Sequence, residues 1–210
     1  MTVQTRLLED THQKRRLTPQ ERAEAFSRRF PQYAPLVVHN GRLYGTWVVG
    51  ALYRRRADYY GAYPHSVLER ILALFPDCER RLHLFSGAVK DPGAITYDID
   101  PRLKPTICDD VRNIKKYAHI FRDVDLVIAD PPYEERDFRV YGQRPLNKAQ
   151  VIRDLGEVMA PDSYLAWLDV IVPLYSKKRW NLLGHIGLVT STNHRVRMWT
   201  LLERVGSGVP

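Results

Sequence analysis

The stretch "VIADPPYEER", residues 127–136, holds four consecutive side chains whose types suit one kind of chemistry. Asp130 ends an apolar run as an acceptor-only carboxylate. Pro131 and Pro132 have no backbone N–H and a fixed φ, so the chain presents carbonyls there and no donors. Tyr133 adds a ring face for stacking. Together these groups can accept both hydrogens of an exocyclic amine while the phenol ring covers a flat base. Drawing both N–H bonds into acceptors turns the nitrogen lone pair away from the ring and toward attack. That chemistry needs positioning and well-aimed acceptors rather than a strong base. The plain alternative is a turn plugged by an aromatic ring. The position directly after "VDLVIA" favours the chemical reading.

A clamp of this kind needs a buried strand to carry it, and the surrounding pattern supplies several. Short apolar runs ending in small or acidic residues recur at 82–87 ("LHLFSG"), 94–100 ("AITYDID"), 105–110 ("PTICDD") and 124–130 ("VDLVIAD"). Val-, Ile- and Leu-rich strands with polar groups at their carboxyl ends predict an open parallel α/β sheet. The links between the early strands are too short for helical crossovers, so extended loops are expected to make them. "SYLAWLDVIV" reads as a further strand, and "GHIGLVTSTNHRVRMWTLL" as an antiparallel hairpin at the sheet edge.

Upstream, Thr18-Pro19-Gln20-Glu21 combines a capping box with proline at the first helical position, predicting a helix to about Phe30. Asn40-Gly41 between apolar runs predicts a hairpin. Ser66 to Glu69 reads as a second capping box, opening a helix that buries Leu68, Ile71, Leu72 and Phe75 and stops at Pro76-Asp77. Asn147 to Gln150 reads as a third, with a helix to about Met159. Residues 1–60 are expected to form a helical and hairpin extension, and residues 61–210 the catalytic domain.

The chain has 210 residues, enough for one substantial core, and 44% of them are hydrophobic. No apolar run approaches a membrane span. The charged start lacks a signal-peptide core, which leads to the expectation of a cytoplasmic protein. Cys78 and Cys108 are not in a Cys-x-x-Cys pair and have no histidine at ligand spacing, so neither a disulfide framework nor a metal site is expected. The net charge of +8 points to a polyanion partner.

From about Tyr59 to Arg204 the chain resembles the class I S-adenosylmethionine-dependent amino-methyltransferases, whose [DNS]PP[YFW] motif follows the fourth strand. It is most similar to compact phage and bacterial forms. That resemblance implies a Rossmann-like sheet with an antiparallel edge hairpin and abbreviated early crossovers. It also implies S-adenosyl-L-methionine as cofactor and a catalytic role for Asp130, Pro131, Pro132 and Tyr133. "LFSG" is similar to the family's Phe-x-Gly loop and puts Phe85, Ser86 and Gly87 beside the methionine part of the cofactor. "TYDIDP" matches the second-strand acid, so Asp98 would hold the ribose hydroxyls. "CDDVRN" matches the third-strand acid, with Asp110 preferred and Asp109 in reserve for the adenine. "YGAYPHSVLERIL" resembles a segment that touches the methionine end, implicating Tyr63 and Pro64. A second loop glycine is missing, since Val89 and Lys90 follow Ala88, and so is the helix that normally follows.

Three basic clusters are candidate phosphate contacts: Arg54-Arg55-Arg56, Lys177-Lys178-Arg179, and His194-Arg195-Val196-Arg197. Tyr141 and Arg144, in the loop after the clamp, are candidates to touch the target nucleotide. The target base would be flipped out or single-stranded. The leading expectation is methylation of adenine N6 in DNA. The alternatives are an RNA base methyltransferase (adenine N6 or guanine N2) and an inactive cofactor- and nucleic-acid-binding module. No segment after Leu201 suggests a target-recognition domain, so specificity would fall to the N-terminal sixty residues, the loop after the clamp or a partner protein, or be slight; a specificity partner or a homodimer is the corresponding expectation.

Overall fold

The computed structural model describes residues 16–50, 66–133, 145–190 and 196–206. Nine strands form one sheet in the order β1-β2-β8-β9-β7-β6-β3-β4-β5. They are β1 Val37–His39, β2 Arg42–Val49, β3 Arg81–Leu84, β4 Ile95–Asp98, β5 Ile107–Cys108, β6 Leu126–Ala129, β7 Tyr164–Asp169, β8 Trp180–Thr190 and β9 Val196–Arg204. The run β7-β6-β3-β4-β5 is wholly parallel, and β9 is antiparallel to both of its neighbours. The strand order reverses between β6 and β3, the switch point where Rossmann-like α/β sheets open a crevice at their carboxyl edge. Among the described residues, no helix is long and apolar enough to cross a membrane.

Alternation along the strands explains the two-sided core. Leu126 and Ile128 face one apolar cluster with Tyr164, Ala166 and Leu168. Val127 and Ala129 face the other with Leu165 and Trp167. The first cluster is covered by α1 (Pro19–Arg29) and α2 (Val67–Leu74). The second is covered by the 3-10 turn Val111–Tyr117, α3 (Ala118–Phe121) and α4 (Lys148–Val158).

The capping box at Thr18 forms with both reciprocal bonds. On the inner face of α1, Phe26 stacks on Trp47 at 5.3 Å. Arg22 is fully buried, with its guanidinium on the Leu74 carbonyl (2.8 Å) and on both oxygens of Asp77 (2.9 Å each). The Asn40-Gly41 turn has positive φ at both residues, +47° and +69°, as a tight hairpin with this sequence requires.

Three expectations are corrected. Ser66 does not cap α2: it sits in the left-handed region, and its side chain makes no capping bond to the helix. The buried face of that helix is Val67, Arg70, Ile71 and Leu74 rather than Leu68 and Leu72, because the Arg70 guanidinium turns inward to lie 3.8 Å over the Tyr33 ring. The β8–β9 hairpin exists but is not at the edge. β2 pairs in parallel with β8, from Leu43 on Gly184 to Val49 on Thr190, and β1 becomes the edge. Gly184 permits this pairing, since a Cβ there would collide with the Leu43 carbonyl.

The early crossovers carry no α-helix, although a 3-10 turn at Pro101–Leu103 stands between β4 and β5 where an extended loop was expected, and a buried ionic brace holds the β3–β4 loop. Asp91, in the β3–β4 loop, accepts from Arg81 Nε (2.9 Å) and Nη2 (2.8 Å) and lies 3.0 Å from His83 Nε2. Burial alone would raise the Asp91 carboxyl, but Arg81 and His83 hold it below its ordinary value.

Candidate active site at the carboxyl edge of the sheet

All four residues of β6 are buried, so the strand delivers Asp130 to the carboxyl edge from a fixed base, next to the switch point. Pro131 is buried, while Pro132 and Tyr133 are half-buried. The Tyr133 hydroxyl turns back and donates a short hydrogen bond to Asp130 Oδ1. Arg197 Nη1, from the second residue of β9, donates to the same hydroxyl at 3.1 Å. Its guanidinium carbon lies 5.7 Å from the phenol centroid.

Burial pushes the Asp130 carboxyl up to about 6, against the opposing pull of the Tyr133 bond and the Arg197 charge. Burial and the Asp130 charge push the Tyr133 phenol upward, so at neutral pH it is a donor. Asp130 Oδ1 is therefore occupied by the chain's own O–H.

Two residues at this edge carry no signal that the motif search used. Asp169, at the end of β7, has a side chain only 2% exposed. It accepts from Lys148 Nζ at 2.7 and 2.9 Å and from the backbone N–H of Val170 at 2.7 Å. The last bond turns the chain, so β7 stops at Asp169 instead of continuing through "VIV". Lys148, at the start of α4, also donates to the Tyr133 carbonyl at 3.4 Å. The clue was present: "YLAWLD" ends an apolar strand on an acid, as the earlier strands do. Asn147 caps α4 through the Gln150 N–H, as expected of the third box, and this fixes where Lys148 begins.

The cofactor candidates gather on the other side of the switch point. Phe85 has a φ of +58°, and this left-handed step ends β3. Its ring meets Trp167 edge-on at 6.2 Å. Ser86 is buried, and its hydroxyl has no hydrogen-bond partner among the described residues. Asp98, ending β4, accepts from the Gly87 N–H at 2.8 Å and from the Asp100 N–H at 3.0 Å. Each of its oxygens keeps acceptor capacity for a hydroxyl. An orphaned buried hydroxyl beside a half-exposed, oriented carboxylate fits a polar ligand with vicinal hydroxyls.

Asp109 and Asp110 are more heavily committed. Asp109 accepts from Asn113, Tyr117 and the Asp110 N–H, and the Asn113 bond leads the effects that lower its pKa. Asp110 caps the following 3-10 turn through the Arg112 N–H and pairs with the Arg112 guanidinium. Both therefore shape the turn beside the site.

Of the basic candidates, Arg197 reaches the clamp itself. Lys177 and Lys178 precede β8 and lie at the amino edge, the opposite end of the sheet from Asp130. Tyr63, Pro64, Arg54, Arg55, Arg56, Tyr141, Arg144, His194 and Arg195 lie outside the described residues.

The fold and the edge define a Rossmann-like α/β protein with an acid–aromatic site at its switch point. No family model matches the chain, and no curated protein does. Several solved structures resemble it. One is fibrillarin in a fibrillarin/Nop5p complex, at 10% identity and TM-score 0.40, covering 60% of this chain and 72% of that one. Another is Aeropyrum pernix fibrillarin with natively bound S-adenosyl-L-methionine, at 14% and 0.37, covering 59% and 66%. A third is SMU.1697c of Streptococcus mutans in complex with SAH, at 12% and 0.38, covering 60% and 86%. All three are loose overall similarities.

Proposed function

We propose that the chain is an S-adenosylmethionine-dependent methyltransferase acting on the exocyclic amine of a nucleic-acid base, foremost adenine N6 in DNA. The observation that carries this reading is Asp130-Pro131-Pro132-Tyr133 emerging from a fully buried strand at the switch point, one strand away from the Ser86–Asp98 edge. Asp130 accepts one N–H of the amine, and the Pro131 and Pro132 carbonyls complete the acceptor set. Tyr133 stacks on the base once its hydroxyl leaves Asp130. Lys148 and Arg197 hold the loop and ring and bring positive charge toward Asp130.

Asp98 and Ser86 are the groups that would hold the cofactor, with Phe85 and Gly87 shaping the loop between them. When bound, S-adenosylmethionine supplies an electrophilic methyl group. The protein's own part is to strip water from the amine, keep its lone pair out of the ring system, and shield the site from bulk solvent.

Incubation with radiolabelled S-adenosylmethionine and mixed DNA and RNA tests the reading. Label in DNA at adenine N6 is the expected result. Label confined to RNA transfers the reading to an RNA base methyltransferase. Calorimetric binding of S-adenosylhomocysteine with no label in either polymer reduces it to a binding module.

A further inference from the structure

At the amino edge of the sheet, an open cleft of about 760 Å³ lies between the start of β8 and the end of β9. β8 spans eleven residues, so this cleft is roughly 30 Å from the clamp. Four cations line it: Arg16, Arg42, Lys177 and Arg204. Its two acids, Asp162 and Glu203, are both engaged by Arg16, and Glu203 also accepts from Asn181 at 3.2 Å.

Among the described residues, the other three cations have no carboxylate partner. Arg204 is only 8% exposed and spends its N–H groups on neutral carbonyls, Gly156 at 2.7 Å and Val205. Those bonds satisfy donors but leave the charge uncompensated, which is costly for a buried group. Burial, with Arg179 adding repulsion, lowers its pKa accordingly. Arg42 and Lys177 are exposed on the cleft wall, and Tyr175 supplies a half-buried ring beside them.

We propose that this cleft is a second, phosphate-binding site, formed by Arg42, Lys177 and Arg204 and separate from the methyl-transfer edge. The net charge of its walls, two acids against four cations, suits a phosphate group, and the volume admits a nucleotide-sized ligand. Two sources offer such a phosphate, a free phosphorylated small molecule and the backbone of a nucleic-acid strand.

Binding of inorganic pyrophosphate and of a short single-stranded DNA is measured by calorimetry at low salt, with no methyl donor present, so the outcome is independent of catalysis at Asp130. The variant R42E/K177E changes two exposed side chains. R28E/R153E makes the same change in net charge on α1 and α4 as the control. Loss of about tenfold or more in R42E/K177E but not in the control supports the site. Loss for pyrophosphate identifies a free phosphate compound, and loss for the oligonucleotide alone identifies the strand backbone. Equal affinities of the two variants for both probes would overturn the proposal.

Discussion

The Lys148 ammonium lies 2.7 Å from Asp169 Oδ2 and 3.4 Å from the Tyr133 carbonyl, so one cation ties the carboxyl end of β7 to the clamp that leaves β6. Because Asp169 is nearly inaccessible, the pair is a fixed strut rather than a surface contact. K148M should slow methyl transfer by about 10–100-fold through lost positioning, with S-adenosylhomocysteine affinity unchanged. It should also cost on the order of 3 kcal/mol in denaturant unfolding, since buried Asp169 loses the positive charge paired with it. The double variant K148M/D169L should regain stability but not turnover. Recovery of both would make the strut merely structural.

Asp130 accepts through both oxygens only when ionised, and burial raises its pKa to about 6. The kcat/KM profile should therefore fall on the acid side with a midpoint near that value. R197M removes a neighbouring positive charge, so the limb should move to higher pH. The effect on folding has the opposite sense to that of a salt-bridged acid. Between about pH 4 and about 6 the folded state holds a proton that the unfolded chain has lost, so this group makes stability fall as pH rises. D130A removes the acceptor altogether, so it should abolish turnover and remove that slope from unfolding curves.

Tyr133 has two separable parts. Y133F deletes the hydroxyl that occupies Asp130 and keeps the stacking face, so turnover should stay within about tenfold of the parent. Y133A should lose about 100-fold or more. A Y133F variant as inactive as Y133A would show that the hydroxyl, not the ring, is the working part.

D98A removes the acceptor from the Gly87 and Asp100 N–H groups and from any ribose. Affinity for S-adenosylhomocysteine should fall by about 10–100-fold in calorimetry. Unchanged affinity would detach the cofactor from this edge.

D91A should destabilise the chain by about 3 kcal/mol, since it takes the carboxylate from buried His83 and half-buried Arg81 on β3 and unties the β3–β4 loop from that strand. Asp91 is held below its ordinary pKa, so its contribution is present above about pH 4 and lost as pH falls further. Parent and variant should therefore converge in stability at low pH.

The parallel strands, the shortness of the early crossovers, the Asn40-Gly41 turn and the cap at Thr18 were legible because each is written in neighbouring residues. Apolar period, turn chemistry and capping act over a few positions. Asp130 to Tyr133 stood out for the same reason, with four consecutive residues of complementary type. The sequence by itself thus determined the elements, their direction and the chemical character of one loop.

Tertiary structure alone decided which distant groups meet there. Lys148 with Asp169, Arg197 with Tyr133, and Asp91 with Arg81 and His83 are chosen by strand order and register, and a side chain's neighbours across a sheet leave no mark in its local sequence. The place of β2 beside β8 was hidden for the same reason. It depends on a close approach at Gly184 that is visible only once the two backbones lie side by side. Local free energies settle what each segment becomes, while burial and charge compensation across the assembled sheet settle which carboxylates are free to work and which are already held.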